Sequence, residues 1–198
     1  MLSLAMIKKG TTLLFFFFVL TAGVFAQVKV KAGEGFDKIK IGMGISKALE
    51  VLGEPDEIRS RKEEQKLWED YGYDVSKQLE FYIGFDKVYV FVNNNSYALW
   101  KVFVRKNKIV FLNISAHIFG EDVTGKISTD RNIGIGDSPE KVVEVMGKDF
   151  FKEENPEEGQ ADYTYFEKGI RFTFSKGILK NIYIFKSMGT EAKNKFLK

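Results

Sequence analysis

Residues 39–53, IKIGMGISKALEVLG, and residues 133–147, IGIGDSPEKVVEVMG, align without a gap at an offset of 94. Seven of the fifteen positions are identical: Ile39/Ile133, Ile41/Ile135, Gly42/Gly136, Lys47/Lys141, Glu50/Glu144, Val51/Val145 and Gly53/Gly147. A repeat spaced this far apart is too long for a solenoid unit and points to one small α+β unit used twice in tandem. In the second copy Ser138 precedes Pro139, a helix start in which the hydroxyl accepts a first-turn N–H and Pro has none to waste. The helix then runs through Val142, Val143 and Val145 to Met146, and Gly147 ends it in a left-handed conformation that carries no Cβ penalty. The first copy offers Gly44 as cap, Ala48, Leu49, Val51 and Leu52 as the apolar positions, and Gly53 as stop with Pro55 beyond. Helices of about two turns are not stable alone, so both must dock on something.

The residues after each helix read as strands. Copy two gives Tyr163–Phe166, Ile170–Phe174 and Ile178–Phe185, separated by Lys168-Gly169 and Ser175-Lys176-Gly177 turn signals. Copy one gives Leu79–Phe85, Val88–Val92, Tyr97–Val104 and Ile109–Ile118. Such short turns make the strands antiparallel. Asp56–Asp70 is highly charged and reads as a second short helix or a loop, with Glu63-Glu64 and Glu69-Asp70 as solvated surface. Its counterpart Glu153–Asp162 contains Pro156 and Gly159 and reads as a loop. The fold expected is therefore α+β: two tandem repeats, each with short helices packed on one face of an antiparallel meander and the other face free.

Period two divides each strand into two rows. Ala98, Trp100, Val102 and Val104, with Val110, Leu112, Ile114, Ala116 and Ile118, form apolar rows that should face the helix. The opposite row mixes aromatics and cations: Tyr89 and Phe91, then Tyr97, Lys101, Phe103 and Arg105, then Phe111. Copy two supplies Arg171 and Thr173, with Tyr183 beside them. Aromatic and Arg enrichment is what interface cores show. The row either packs against the other repeat or the Asp56–Asp70 segment, or it is an open surface for a partner.

Residues 1–26 read as a secretory signal, with Lys8 and Lys9, an apolar stretch from Thr12 to Val24, and a small-residue exit at Val24-Phe25-Ala26. That stretch is short of the roughly 20 residues of a spanning helix, which disfavours the competing reading, a retained anchor. Its removal leaves 28 Lys and Arg against 27 Asp and Glu, so the mature chain has no general pull on nucleic acid. There is no cysteine, which excludes thiolate chemistry, disulfides and an acylated cysteine. With His117 as the single histidine, a zinc site would be mostly carboxylate, and no metal is expected.

Catalytic patterns are missing too. Gly42-Met43-Gly44 and Gly134-Ile135-Gly136 lack the third glycine of a dinucleotide fingerprint, where Lys47 and Pro139 stand. Gly136-Asp137-Ser138 lacks the flanks of a nucleophile elbow. Asp130-x-Asn132 lacks the Glu that closes a calcium loop. No cofactor and no enzymatic activity are expected.

The glycine entry at Gly42-Met43 or Gly136-Asp137-Ser138, the helix with Val51 or Val145, the Leu52-Gly53 or Met146-Gly147 exit and the Leu52-Gly53-Glu54-Pro55 sequence resemble the beta-lactamase-inhibitor-like (BLIP-like) fold group. That group also takes in outer-membrane assembly lipoproteins of the SmpA/OmlA (BamE) type, and the similar layout covers residues 36–185. The resemblance implies a non-catalytic exported module that grips another protein with its concave sheet, for which the row around Tyr89, Phe103 and Arg105 would be the equivalent. This chain lacks the inhibitors' disulfides and the lipoproteins' acylated cysteine. The expected organisation is a signal at 1–26, a first repeat at 27–119, a linker at 120–128, a second repeat at 129–186 and a polar basic tail at 187–198 that holds a frayed helix from Thr190. The function expected is periplasmic or secreted protein binding in a bacterial envelope, through Tyr89, Phe91, Tyr97, Lys101, Phe103, Arg105, Phe111, Arg171 and Tyr183. A second reading is a small-ligand or lipid-binding envelope protein with an apolar groove between the repeats.

Overall fold

The computed structural model describes residues 28–93, 98–115 and 127–198. The expected signal segment, Tyr97, His117 and all but the end of the expected linker lie outside the described residues. The elements run β1 (Val28–Lys31), β2 (Gly35–Phe36), β3 (Ile39–Lys40), α1 (Ile45–Leu52), β4 (Glu57–Ser60), α2 (Arg61–Asp70), α3 (Leu79–Ile83), β5 (Lys87–Asn93), β6 (Ala98–Arg105) and β7 (Lys108–Ser115). They continue with β8 (Ile127–Thr129), α4 (Pro139–Met146), β9 (Phe151–Asn155), β10 (Gln160–Tyr165), β11 (Ile170–Ser175), β12 (Ile178–Phe185) and α5 (Thr190–Phe196). The order α1-β4-α2-α3-β5-β6-β7 is followed by α4-β9-β10-β11-β12, which has no helices between its first two strands.

Eight strands form one antiparallel sheet in the order β4-β5-β6-β7-β12-β11-β10-β9. The two halves meet edge to edge through β7 and β12, with Asn113 opposite Tyr183 and Phe111 opposite Phe185. A small second sheet, β3-β2-β1-β8, contains the one parallel pair among the described strands, β1 with β8. The fold is α+β, with sheets that are otherwise antiparallel.

The duplicated fifteen residues act as a clamp. In copy one Gly42 N–H donates to Ile109 O (2.7 Å) and Ile109 N–H donates to Met43 O (2.9 Å). In copy two Gly136 N–H donates to Leu179 O (3.0 Å) and Leu179 N–H donates to Asp137 O (2.9 Å). The segment before each helix is therefore hydrogen-bonded to the first residues of the last strand in its own meander. Gly42 and Gly136 have φ of 83° and 97°, a region that side chains with a Cβ rarely enter, which explains why this pair is identical. α4 starts as expected, with Ser138 Oγ accepting from Lys141 N–H, and both helices stop at the expected glycines, Gly53 and Gly147, at φ 81° and 87°. Their ψ values, −161° and 178°, are those of a region reserved to glycine rather than of the left-handed helix expected.

α1, α4 and the small sheet cover one face of the large sheet. Ala48, Val142 and Met146 pack there with Phe36, Val102, Leu112, Ile114, Phe172 and Ile184. The other face was expected to be free, and half of it is not. α3 and α5 lie over Val88, Phe103, Phe111 and Phe185 in a second core that includes Leu79, Phe81, Phe85 and Phe166. Each large apolar side chain so buried contributes about 1.5–3 kcal/mol.

Four local expectations are corrected. Leu79–Phe85 forms α3 and an exit loop in place of a strand, because a short apolar run fits either period and Gly84 (φ 80°) ends a helix there. Glu153–Asp162 is a hairpin, with β9 and β10 around a Pro156–Gly159 turn. Glu64, read as solvated, is fully buried. Ile109 faces the α1 layer while Val110 leaves it, because β6 and β7 shift register after the Phe103–Phe111 pair and Val110 is the extra residue of a bulge. The β11–β12 hairpin shifts in the same place relative to its turn, between Thr173 and Phe174.

Candidate functional site

Register decides which residues share the partly covered face. Directly paired residues point the same way, so Val90, Lys101, Asn113, Tyr183, Arg171 and Thr164 form one row across β5, β6, β7, β12, β11 and β10. Next to it run Leu99, Ser115, Asn181, Thr173 and Asp162. On the other side lie Val88, Phe103, Phe111 and Phe185, the row under α3 and α5. The apolar row is filled by the chain's own core, and the two polar rows floor an open groove of about 990 Å³.

One wall of the groove is an insertion that copy two does not have. Where copy two turns in four residues between β9 and β10, copy one inserts α2, a 3₁₀ turn at Val75–Lys77 and α3 between β4 and β5. α2 starts on a capping box: Ser60 Oγ accepts from Glu63 N–H (3.3 Å) and Glu63 Oε2 accepts from Ser60 N–H (2.6 Å). Its inner face carries Glu64, which ties it to the sheet. Glu64 pairs with Lys101 Nζ (2.8 Å) and with Arg59 Nε (2.9 Å), and accepts from Trp68 Nε1 (3.0 Å). Trp68 packs edge-on against Tyr73 (5.1 Å between centroids), and Tyr71 stands beyond, 73% exposed. Burial, reinforced by Glu158 and Asp162, pushes the Tyr73 phenol up, so this wall lies within electrostatic reach of copy two.

The far end of the floor is organised by Arg171, which is buried. Its Nε donates to Thr164 Oγ1 (2.7 Å), Nη2 to Glu153 Oε2 (3.2 Å), and Nη1 lies 3.8 Å from Asp162 Oδ2. Thr173 Oγ1 donates to Asp162. Burial raises the Glu153 carboxyl above the usual range, with Arg171 opposing. It also raises the Tyr183 phenol, helped by the charge of Glu80. Glu80 is itself pushed up, first of all by burial.

Of the expected contact residues, this groove brings together Lys101, Arg171 and Tyr183. Phe103 and Phe111 are 1% and 0% exposed in the second core and cannot form an open surface. Tyr89 and Phe91 pair with Val102 and Trp100, so they belong to the opposite, α1-covered face. Arg105 is exposed, and its Nη1 donates to Ile83 O (2.8 Å) at the end of α3. Tyr97 is outside the described residues. Trp68, Tyr71, Tyr73, Glu80 and Asn113 were missed. All but Asn113 sit in the insertion, which a comparison of the spacing of the two copies would have exposed.

Among the described residues no group of three or more His, Asp or Glu side chains is placed to hold a metal ion. No described helix is long and apolar enough to cross a membrane. No family model matches this chain, and no curated protein matches it significantly. Similar solved structures include the DUF4309 family protein YjgB of Bacillus subtilis subsp. subtilis str. 168, at 13% identity, 78% coverage of this chain, 88% of that one and a TM-score of 0.46. Another is an extracellular protein containing a SCP domain from Bacillus anthracis str. Ames, at 12% identity, 74% coverage and a TM-score of 0.39; the match spans 44% of that longer chain. A third, described as a candidate beta-lactamase inhibitor protein from Streptococcus mutans, has 19% identity, 80% and 90% coverage and a TM-score of 0.27.

Proposed function

We propose that this chain is an exported, non-catalytic protein-interaction module that takes its partner in the groove of the large sheet. The observation that carries this reading is the division of one face into a filled apolar half and an open polar half walled by Trp68, Tyr71 and Tyr73. Export rests on the signal-like residues 1–26, and places the partner in the periplasm or outside the cell. Exposed tyrosines over a floor of fixed hydrogen-bonding groups are the composition of a recognition surface. The second reading, a lipid site between the repeats, has the right place, since the groove spans both halves. Its floor is wrong for an acyl chain, which offers the unpartnered Asn113 Nδ2 no acceptor and would take the Glu153–Arg171 pair further out of water.

The test is affinity capture from the native envelope and culture fluid with wild type and a Tyr71→Ala/Tyr73→Ala double variant as bait. Both side chains are at least a third exposed, so the variant keeps its fold. Loss of a captured protein supports the groove. Undiminished capture by the variant, or copurification of lipid with no protein, contradicts it.

A further inference from the structure

Two buried side chains on the groove are only partly matched among the described residues: Asn113 Nδ2 has no acceptor, and the Glu80 carboxylate accepts from its own backbone N–H and feels the charges of Arg171 and Lys101 without an ion pair. Asn113 is 5% exposed, lies in β7 between Lys101 and Tyr183, and its Nδ2 has no hydrogen-bond partner. Glu80, in the first turn of α3 and lining the same groove, is 2% exposed. The nearby cations are committed elsewhere: Lys101 to Glu64, Arg171 to Glu153 and Asp162. Among the described residues no Lys, Arg or His lies within ion-pair distance of the Glu80 carboxylate. Lys77 pairs with Asp74, and Lys176 and Lys180 are exposed near the tip of the β11–β12 hairpin.

An unpaired buried donor calls for an acceptor, and an unpaired buried carboxylate calls for a cation. A peptide offers both within a residue's length, as a backbone carbonyl and a basic side chain. On the buried floor an acidic or phosphorylated ligand would meet Glu80 and Glu153 with Lys101 and Arg171 already committed, and the remaining lysines Lys176 and Lys180 stand out at the hairpin tip. We propose that the groove accepts an extended segment of the partner protein carrying an Arg or Lys, with the basic group on Glu80 and a carbonyl on Asn113 Nδ2. This rests on the protein-interaction reading above and adds the chemistry of the segment recognised. The exposed rings of Tyr71 and Tyr73 flank the entry and favour a passing cation.

The test is selection of a displayed heptapeptide library on the full chain, followed by affinity measurements on synthetic copies. Selected peptides are expected to share a basic position, and its replacement by Gln should weaken binding at least about tenfold in wild type. In Glu80→Gln the same replacement should cost less than about twofold, as a double-mutant cycle requires if the two charges meet. Asn113→Ala should weaken basic and Gln peptides alike. If Glu80→Gln fails to fold, salt titration decides: affinity for the basic peptide falls with ionic strength and affinity for the Gln peptide does not. Selected peptides without a basic position, or an undiminished charge effect in Glu80→Gln, overturn this inference and leave the interaction reading standing. No enrichment over the Tyr71→Ala/Tyr73→Ala chain overturns both.

Discussion

Glu64 holds the insertion to the sheet, with one carboxylate serving Lys101, Arg59 and Trp68 at full burial. Removing one partner of such a set leaves the remaining charges uncompensated, at a cost of about 3–5 kcal/mol. Glu64→Ala should lower the unfolding free energy by that amount in urea titration; a loss below about 1 kcal/mol would mean a solvated pair. Glu80 makes an opposite demand. Burial raises its carboxyl above the ordinary value of 4.5, so the native state keeps a proton that the unfolded chain has released. Its stabilising effect is complete below that ordinary value and is lost as pH rises through the native one. Urea midpoints measured from pH 4 to 8 should therefore fall less steeply with rising pH in Glu80→Gln than in wild type, and identical slopes would contradict the burial. At this scale the sequence was least legible, because the fate of Glu64, Glu80 and Asn113 depends on partners distant in the chain.

The elements were legible wherever a local rule governs them. Ser138-Pro139 and the two closing glycines marked α1 and α4, and Ser175-Lys176-Gly177 marked the β11–β12 hairpin. The Ser60-Arg61-Lys62-Glu63 capping box is an equally local signal and marks the start of α2. Faces could not be read from alternation alone. A bulge reverses parity along β7, and parity between strands depends on a register that no single strand records. The clamp makes its own prediction. Gly136→Ala, forced to hold φ 97°, should cost about 1–2 kcal/mol. Ser138→Ala, which removes one cap, should cost about 1 kcal/mol. Thermal unfolding of the two variants should show both losses, and a neutral Gly136→Ala would mean that the clamp is not needed.

Across the whole molecule, the two copies share a continuous sheet, and their apolar sets merge across β7 and β12. Neither half closes its core alone, so the described body should unfold in a single calorimetric transition with equal calorimetric and van't Hoff enthalpies; two separated transitions would show independent halves. The duplication that announced the fold also hides the candidate groove, one wall of which is what copy one has and copy two lacks. The wall of α2 and α3 makes one face asymmetric, covering its phenylalanines and leaving its charged rows open. The most direct measurement is site-specific photo-crosslinking, with the probe at Tyr71 on the groove wall or at Ile58 on the opposite face, both exposed (73% and 51%). Incubated with the native envelope and exported proteins, the Tyr71 position should yield one discrete protein adduct and the Ile58 position none. Adducts from Ile58 alone, or equally from both, would contradict a partner seated in the groove.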